Sequence, residues 1–288
     1  MSFVLYVELA SSLPPRPGDG IFATATWIQN DTSVAGANGQ GSAENHRVVK
    51  WYRGISSGHL VAGGHGQGNH SDQLNEPSNV LLDKNETMYI SDNGNRRIQR
   101  WSRDAQNGET IIENISTLGI AQDDQGSLYV SDSIASEVKK WRVGETIGQV
   151  IISGLNQPNA LFVDRNRSVY VTDMHNHLVI KVDEGTTQFS IVAGGSHGHE
   201  SNHLLFPLAV IVDAFDTVYV ADTNNHRLMW WPRGAKSGSI IIGSCGQGSQ
   251  SDQLSGPTDL SFDLEGNLYV LDHYNHRVQK FALNKSSC

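Results

Sequence analysis

Hydrophobic positions along the chain fall in short runs of about four to seven residues, broken by Gly, Asn and Asp. The clearest are MYISD (88–92), LYVSD (128–132), VYVTD (169–173), VYVAD (218–222) and LYVLD (268–272), each with a central Tyr and a terminal Asp. Before each lies another apolar run, opened by proline in most copies: PSNVLLD (77–83), PNALFVD (158–164), PLAVIVD (207–213) and PTDLSFD (257–263). After each comes a stretch with an apolar residue at every second position, then a β-branched run such as ETIIEN, QVIISG or SIIIGS. Alternation with period two, β-branched enrichment and tight polar turns predict strands joined by hairpins. No helical periodicity persists for as long as about ten residues.

The pattern repeats. With Asn45 as marker, the copies begin at 45, 95, 135, 176, 225 and 275. A period of 40–50 residues signals a solenoid or a propeller, and four short antiparallel strands per copy predict an all-β propeller of about six blades. One blade cannot bury both of its faces, so neighbours stack. The first copy is truncated: 22 strands are counted in place of 24. Either blade one is a half-blade, or FVLYVEL (3–9) fills its gap. ATATWIQNDTSVAG (23–36) is expected to supply the fourth strand of the last blade. The division expected is an N-terminal segment 1–22, a propeller 23–283 and a tail 284–288.

A recurrent polar set follows each second strand. It comprises Asp92, Asp132, Asp173, Asp222 and Asp272; Asn95, Asn176, Asn225 and Asn275; and Arg47, Arg97, Arg227 and Arg277. Catalysis needs one asymmetric constellation, whereas near-identical copies solve a packing problem. These residues are therefore expected to be structural, each Asp pairing with backbone amides or an Arg to hold a bend. Trp51, Trp101, Trp141 and Trp231, six residues after the Asn position, are expected to pack between blades.

The Asn-His-Arg core after an Asp-terminated strand resembles the NHL-repeat family of β-propellers. It is carried by Asn45-His46-Arg47, Asn95-Arg96-Arg97, Asn176-His177-Leu178, Asn225-His226-Arg227 and Asn275-His276-Arg277. The third copy, Ala135-Ser136-Glu137, departs from it. The resemblance implies a propeller over roughly 23–283 and leaves function open. A binding scaffold without catalysis is the leading reading. Metal-dependent lyases and lactonase-like propellers are the enzymatic alternative, yet the first strands, expected to line the channel, contain no His. A recognition module like those of tripartite-motif ubiquitin ligases is the third. Two cysteines cannot supply the zinc modules of those ligases.

Composition narrows this further. A net charge of −9 disfavours nucleic acid. No apolar run is long enough to span a membrane. Cys245 and Cys288 form neither a disulfide framework nor a metal motif. The partner expected is a protein or small molecule, with no cofactor and a monomeric chain. It would meet the loop-bearing face, where His175, His273, Asn93 and Asn224 are the candidate contacts. The loops 63–77, 194–207 and 243–257 are Gly-rich and are read as flexible turns. His197, His199 and His203 form a weak metal candidate, because aligned loops carry Gln, Asn or Ser there. Asn-x-Ser/Thr sequons, with Asn30, Asn69, Asn85 and Asn166 the glycosylation candidates, tilt the reading toward an extracellular glycoprotein.

Overall fold

The computed structural model describes residues 46–51, 58–263 and 265–284, together with the strands at 5–7, 26–27 and 32–36. The predicted all-β architecture is found: a propeller with five four-stranded antiparallel blades. In chain order the strands are β1 (Leu5–Val7), β2 (Thr26–Trp27), β3 (Thr32–Gly36), β4 (Arg47–Trp51) and β5 (His59–Gly63). Next come β6 (Pro77–Leu82), β7 (Met88–Asp92), β8 (Arg97–Trp101) and β9 (Glu109–Glu113), then β10 (Thr117–Gln122), β11 (Leu128–Asp132), β12 (Glu137–Trp141) and β13 (Gln149–Ser153). The third full blade is β14 (Pro158–Val163), β15 (Val169–Asp173), β16 (Leu178–Val182) and β17 (Phe189–Gly194). The fourth is β18 (Pro207–Val212), β19 (Val218–Asp222), β20 (Arg227–Trp231) and β21 (Ser239–Ile242). The last strands are β22 (Pro257–Phe262), β23 (Leu268–Asp272), β24 (Arg277–Phe281) and β25 (Leu283–Asn284).

The fifth blade has the order β22-β23-β24-β3. The 23–36 segment thus supplies its outer strand, through pairs such as Val278 with Ala35. The truncated first copy forms a three-stranded sheet, β1-β4-β5, in which β1 runs parallel to β4. Residues 5–7 of the expected N-terminal segment therefore join the propeller repeat. β2 pairs with β25.

Burial follows strand position. Second strands are buried on both faces, as in β15 and β19, because stacked sheets cover each side. Outer strands expose their first residues and bury their ends, as in β5. A register shift recurs at one place between third and fourth strands, for example at Ile98/Gln99, Val179/Ile180 and Leu228/Met229. It bends the outer strand without breaking the ladder.

The chain divides into two compact units, one of residues 1–12 with 40–165 and one of 13–39 with 166–288. In the first, Val48, Leu74, Met88, Ile90 and Trp101 form one buried cluster. A second joins Ile98, Ile115, Val130 and Trp141. In the other unit, Tyr219, Leu228, Leu254, Leu268 and Phe281 share a core. Trp101, Trp141 and Trp231 are buried, and each covers a glycine of the following hairpin, Gly108, Gly148 or Gly238. The side chain of Trp51 lies outside the described residues.

A polar network and the candidate binding face

Each second strand ends in its Asp, and a short turn, a single 3-10 turn in four of the five full blades, leads to the third strand. In three blades the Asp, Asn and Arg form one network. Asp92 Oδ1 accepts the Asn75 backbone N–H at 2.6 Å, and its Oδ2 accepts from Asn95 Nδ2 at 2.8 Å and Arg97 Nε at 2.7 Å. Asp222 binds Leu205 N–H, Asn225 and Arg227 in the same way, and Asp272 binds Ser255 N–H, Asn275 and Arg277. The three carboxylates are fully buried, so their paired donors offset a large desolvation cost. Burial pushes the Asp222 carboxyl up, against the Asn225, Leu205 and Arg227 donors that favour its charged form.

The Arg does more than neutralise the Asp. Arg227 also donates to the carbonyls of His199, Glu200 and His203, and Asn225 donates to that of Gly198. Arg97 holds Asn69, His70 and Gln73 in this manner, and Arg277 holds Ser249, Gln250 and Gln253. Leu74, Leu204 and Leu254 anchor the same loops with no exposed surface. These Gly-rich loops are thus strapped to the scaffold, a correction to their reading as flexible turns.

The motif's departures follow from loop length. Where the preceding loop is short, before β10 and β14, no carbonyls need an Arg, and position 178 is Leu while 137 is Glu. There Asp132 accepts Ala135 N–H and pairs with Lys139, while Asp173 accepts from Asn176. Arg47 belongs to the copy without a second strand. It is exposed and makes no Asp pair among the described residues.

The His reads the following loop. His46 Nδ1 accepts the Glu76 N–H at 3.1 Å, His177 Nδ1 that of Phe206 at 3.2 Å, and His226 Nδ1 that of Gly256 at 3.0 Å. Each donor precedes the proline of a first strand and has a positive φ. Arg96 and Ser136, in the His position, precede short loops instead. An Nδ1 that accepts a hydrogen bond places the neutral ring's proton on Nε2, so neither nitrogen has a lone pair available to a metal.

His177 stands with its ring centroid 5.7 Å from that of His197 and 4.8 Å from Phe206, and His175 lies 5.3 Å from Phe206. Burial first, then the charges of His197 and His175, push the His177 pKa down. His203 folds over Gly198, just as Gln73 folds over Gly68. Among the described residues, no group of three or more His, Cys, Asp or Glu is arranged to hold a metal ion.

The two residues that follow each second-strand Asp behave differently. The first turns inward. Thr223 donates to the Pro257 carbonyl, Asn93 accepts from Ser116, and His273 is buried at 7% exposure. The second faces solvent, as in Gly94, Ile134, His175, Asn224 and Tyr274. His273 is therefore corrected as a surface contact: it occupies the inward position, and its neighbour Tyr274 is the exposed group at 58%. His175 and Asn224 are exposed and Asn93 is half-buried.

The family model for the NHL repeat matches residues 254–281, the hairpin built on Asp272, Asn275 and Arg277. The chain is a β-propeller that carries an NHL repeat in its last blade. No curated protein matches it. Among solved structures, the NHL-repeat propeller is similar to a protein of unknown function from Bacteroides thetaiotaomicron. That match has a TM-score of 0.65 at 15% identity, covering 88% of this chain and 76% of the other. An auxiliary nutrient binding protein from the same organism gives 0.63 at 12% identity, covering 95% and 75%. A streptogramin B lyase gives 0.53 at 8% identity, covering 89% and 95%. At these identities the likeness concerns the fold.

Sequence reasoning passed over a second repeated carboxylate at the end of each first strand. Asp83, Asp123, Asp213 and Asp263 each accept two N–H groups of the following hairpin turn. The recurrent Tyr and the third-strand Lys complete this arrangement: Lys140 pairs with Asp123 at 3.0 Å and lies 4.7 Å from the Tyr129 ring centre. Lys280 pairs with Asp263 over Tyr269. In the fourth blade Trp230 replaces the cation and stacks on Tyr219, so burial pushes the Asp213 carboxyl up. The terminal Asp of each apolar run was the available signal.

Proposed function

We propose that the NHL-repeat propeller is a non-catalytic binding scaffold that meets a protein or small-molecule ligand through its loop-bearing face. The carrying observation is a contrast within the repeat. The straps recur almost atom for atom in three blades, while the paired residues that follow the second-strand Asp differ in all five: Asn93-Gly94, Ser133-Ile134, Met174-His175, Thr223-Asn224 and His273-Tyr274. A rigid scaffold carrying unequal contact residues is how folds build specificity. Ile134, 68% exposed, and Tyr274 supply apolar contact area. The nutrient-binding description of two structural neighbours supports this direction.

The alternatives have less behind them. The third-strand cations Arg100, Lys139, Lys140, Lys181 and Lys280 each pair with a carboxylate, which leaves little for a phosphate backbone. The metal-dependent enzyme reading has no histidine set in support, because the Nδ1 atoms of His46, His177 and His226 are taken by backbone donors. No helix among the described residues is long and apolar enough to cross a membrane.

The extracellular, glycosylated reading rests on Asn69, Asn85 and Asn166, all exposed; Asn30 lies outside the described residues. Its support is reduced by the turn chemistry. Thr87 and Ser168 occupy a position filled by Ser or Thr in four of the five Asp-led hairpin turns, so a hydroxyl two residues after Asn85 or Asn166 is expected without glycosylation. An unmodified intact mass from a eukaryotic secretory host removes it.

The face itself is tested by hydrogen exchange with compounds found by a thermal-shift screen. Hits should protect amides of the turns at residues 133–135, 174–176 and 273–275, and leave the hairpins 83–87 and 213–217 unchanged. Protection confined to those hairpins rejects the proposal.

A further inference from the structure

The three long loops align residue for residue over 67–77, 197–207 and 247–257. In each, a backbone bridge joins the buried leucine to a residue earlier in the loop: Gln67 to Leu74, His197 to Leu204 and Gln247 to Leu254. Two of the loops are closed by glutamines. Gln67 Nε2 donates to Asn75 Oδ1 at 2.7 Å, and Gln247 Nε2 donates to Ser255 Oγ at 2.9 Å. Gln73 accepts the His70 N–H and donates to the His65 carbonyl, while Gln253 accepts the Gln250 N–H and donates to the Cys245 carbonyl. The loop 194–207 has histidine at both places, His197 and His203, and Leu205 where its sisters carry Asn75 or Ser255. Leucine offers no side-chain acceptor, so the tie made by Gln67 and Gln247 has no counterpart there.

This loop gathers histidines instead. His177 holds both of its ends: the carbonyl accepts the Gly195 N–H at 3.2 Å, and Nδ1 accepts the Phe206 N–H at 3.2 Å. The His197 ring stands beside that of His177, and the His175 ring packs against Phe206. Three charged or titratable groups act on the His177 ring: His197 from the loop, His175 from its own turn and Asp222 from the next blade. Asp222 is already engaged by Leu205, Asn225 and Arg227. Burial, then the two histidines, outweigh that carboxylate and push the His177 pKa down. At the sister position His226, the charges of Asp272 and Asp222 both favour the cation and so oppose the effect of burial.

We propose that loop 194–207 is an acid-released segment, whose histidine ties open below about pH 6 while loops 63–77 and 243–257 stay closed. A protonated Nδ1 becomes a donor, and the Phe206 N–H then meets a second donor in place of an acceptor. The charged ring also faces His175 and His197 at distances where like charges repel. Glutamine and asparagine do not titrate, so the sister loops keep their side-chain ties. Because the His177 pKa is depressed, closure is fully present above pH 6.5 and is lost as the pH falls through the folded value. Opening displaces Phe206 from beside the exposed His175, so the loop-bearing face differs between acid and neutral solution. The device goes beyond the binding reading and depends on no ligand.

Amide exchange of the full chain, corrected for the intrinsic pH dependence of the chemistry, tests this. Between about pH 7 and 5, amides of residues 195–206 should lose protection roughly tenfold, led by Gly195 and Phe206. Amides of the two sister loops should change less than about twofold, and those of β15 and β19 should hold. His197→Gln, His203→Gln and Leu205→Asn together copy loop 63–77. The triple variant should lose most of the acid response, and its His177 titration, followed by the NMR shift of the ring proton, should move toward the usual histidine range. Equal loss in all three loops, loss shared by β15 and β19, or an undiminished acid response in the triple variant overturns the proposal. The comparison of the three loops within the parent chain decides the matter even where the variant is unstable.

Discussion

Arg227 Nε lies 2.7 Å from Asp222 Oδ2, and the other end of the same guanidinium holds three carbonyls of the loop that enters the blade. One side chain thus satisfies a buried carboxylate and orders a stretch of backbone. A planar five-donor fork can do this and an ammonium cannot. Arg227→Ala should cost about 3–5 kcal/mol, because it strands the Asp222 charge. Arg227→Lys should recover only part of the loss. Denaturant unfolding measures both, and a cost near zero for Arg227→Ala means that the strap is ornamental.

The same loop depends on an apolar anchor. Leu204 has no exposed surface and closes the loop over the core. Leu204→Ala should lower stability by about 2–5 kcal/mol and speed amide exchange across 196–205. Equal exchange in the two proteins argues that the loop is held by the Arg alone.

Burial lowers the pKa of His177, His226 and His273 below their ordinary value of 6.5. The native state then binds fewer protons than the unfolded chain. Their contribution is fully present above pH 6.5 and is lost as the pH falls from there through the folded pKa values. Protonation also puts a hydrogen on the Nδ1 that accepts from Phe206 or Gly256. The urea midpoint should decline over that acidic window, and His226→Gln should flatten the decline. The variant should cost about 1–3 kcal/mol at neutral pH by leaving the Gly256 N–H without its acceptor. A midpoint independent of pH between about 5 and 7 contradicts this account.

Gly108 is required by Trp101. A Cβ built on it would lie 2.2 Å from the indole Nε1. Gly108→Ala should destabilise by about 1–3 kcal/mol through overpacking. The contrast is Gly144, where a Cβ meets nothing and the φ of +86° supplies the only strain. Trp101→Phe combined with Gly108→Ala should recover part of the loss, read from thermal midpoints. A Gly108→Ala protein as stable as the parent shows that the indole can shift.

The chain's pattern of apolar and polar positions was enough to set the strands, the repeat and the role of 23–36 as the outer strand of the last blade. Period-two alternation, β-branched runs and Asp-led turns are local signals, and each copy confirms the next. The structural character of Asp222, Asn225 and Arg227 was also legible, because a site that recurs cannot be a single asymmetric centre. Tertiary structure decided what depends on direction and distance. Which of two adjacent turn residues faces water separated His273 from Tyr274, a difference of one position that turns a side chain inward or outward. The pairing of β1 with β4 was settled by backbone geometry that a truncated repeat does not encode. Loop length became meaningful only when the carbonyls it exposes were seen to choose between Arg and Leu.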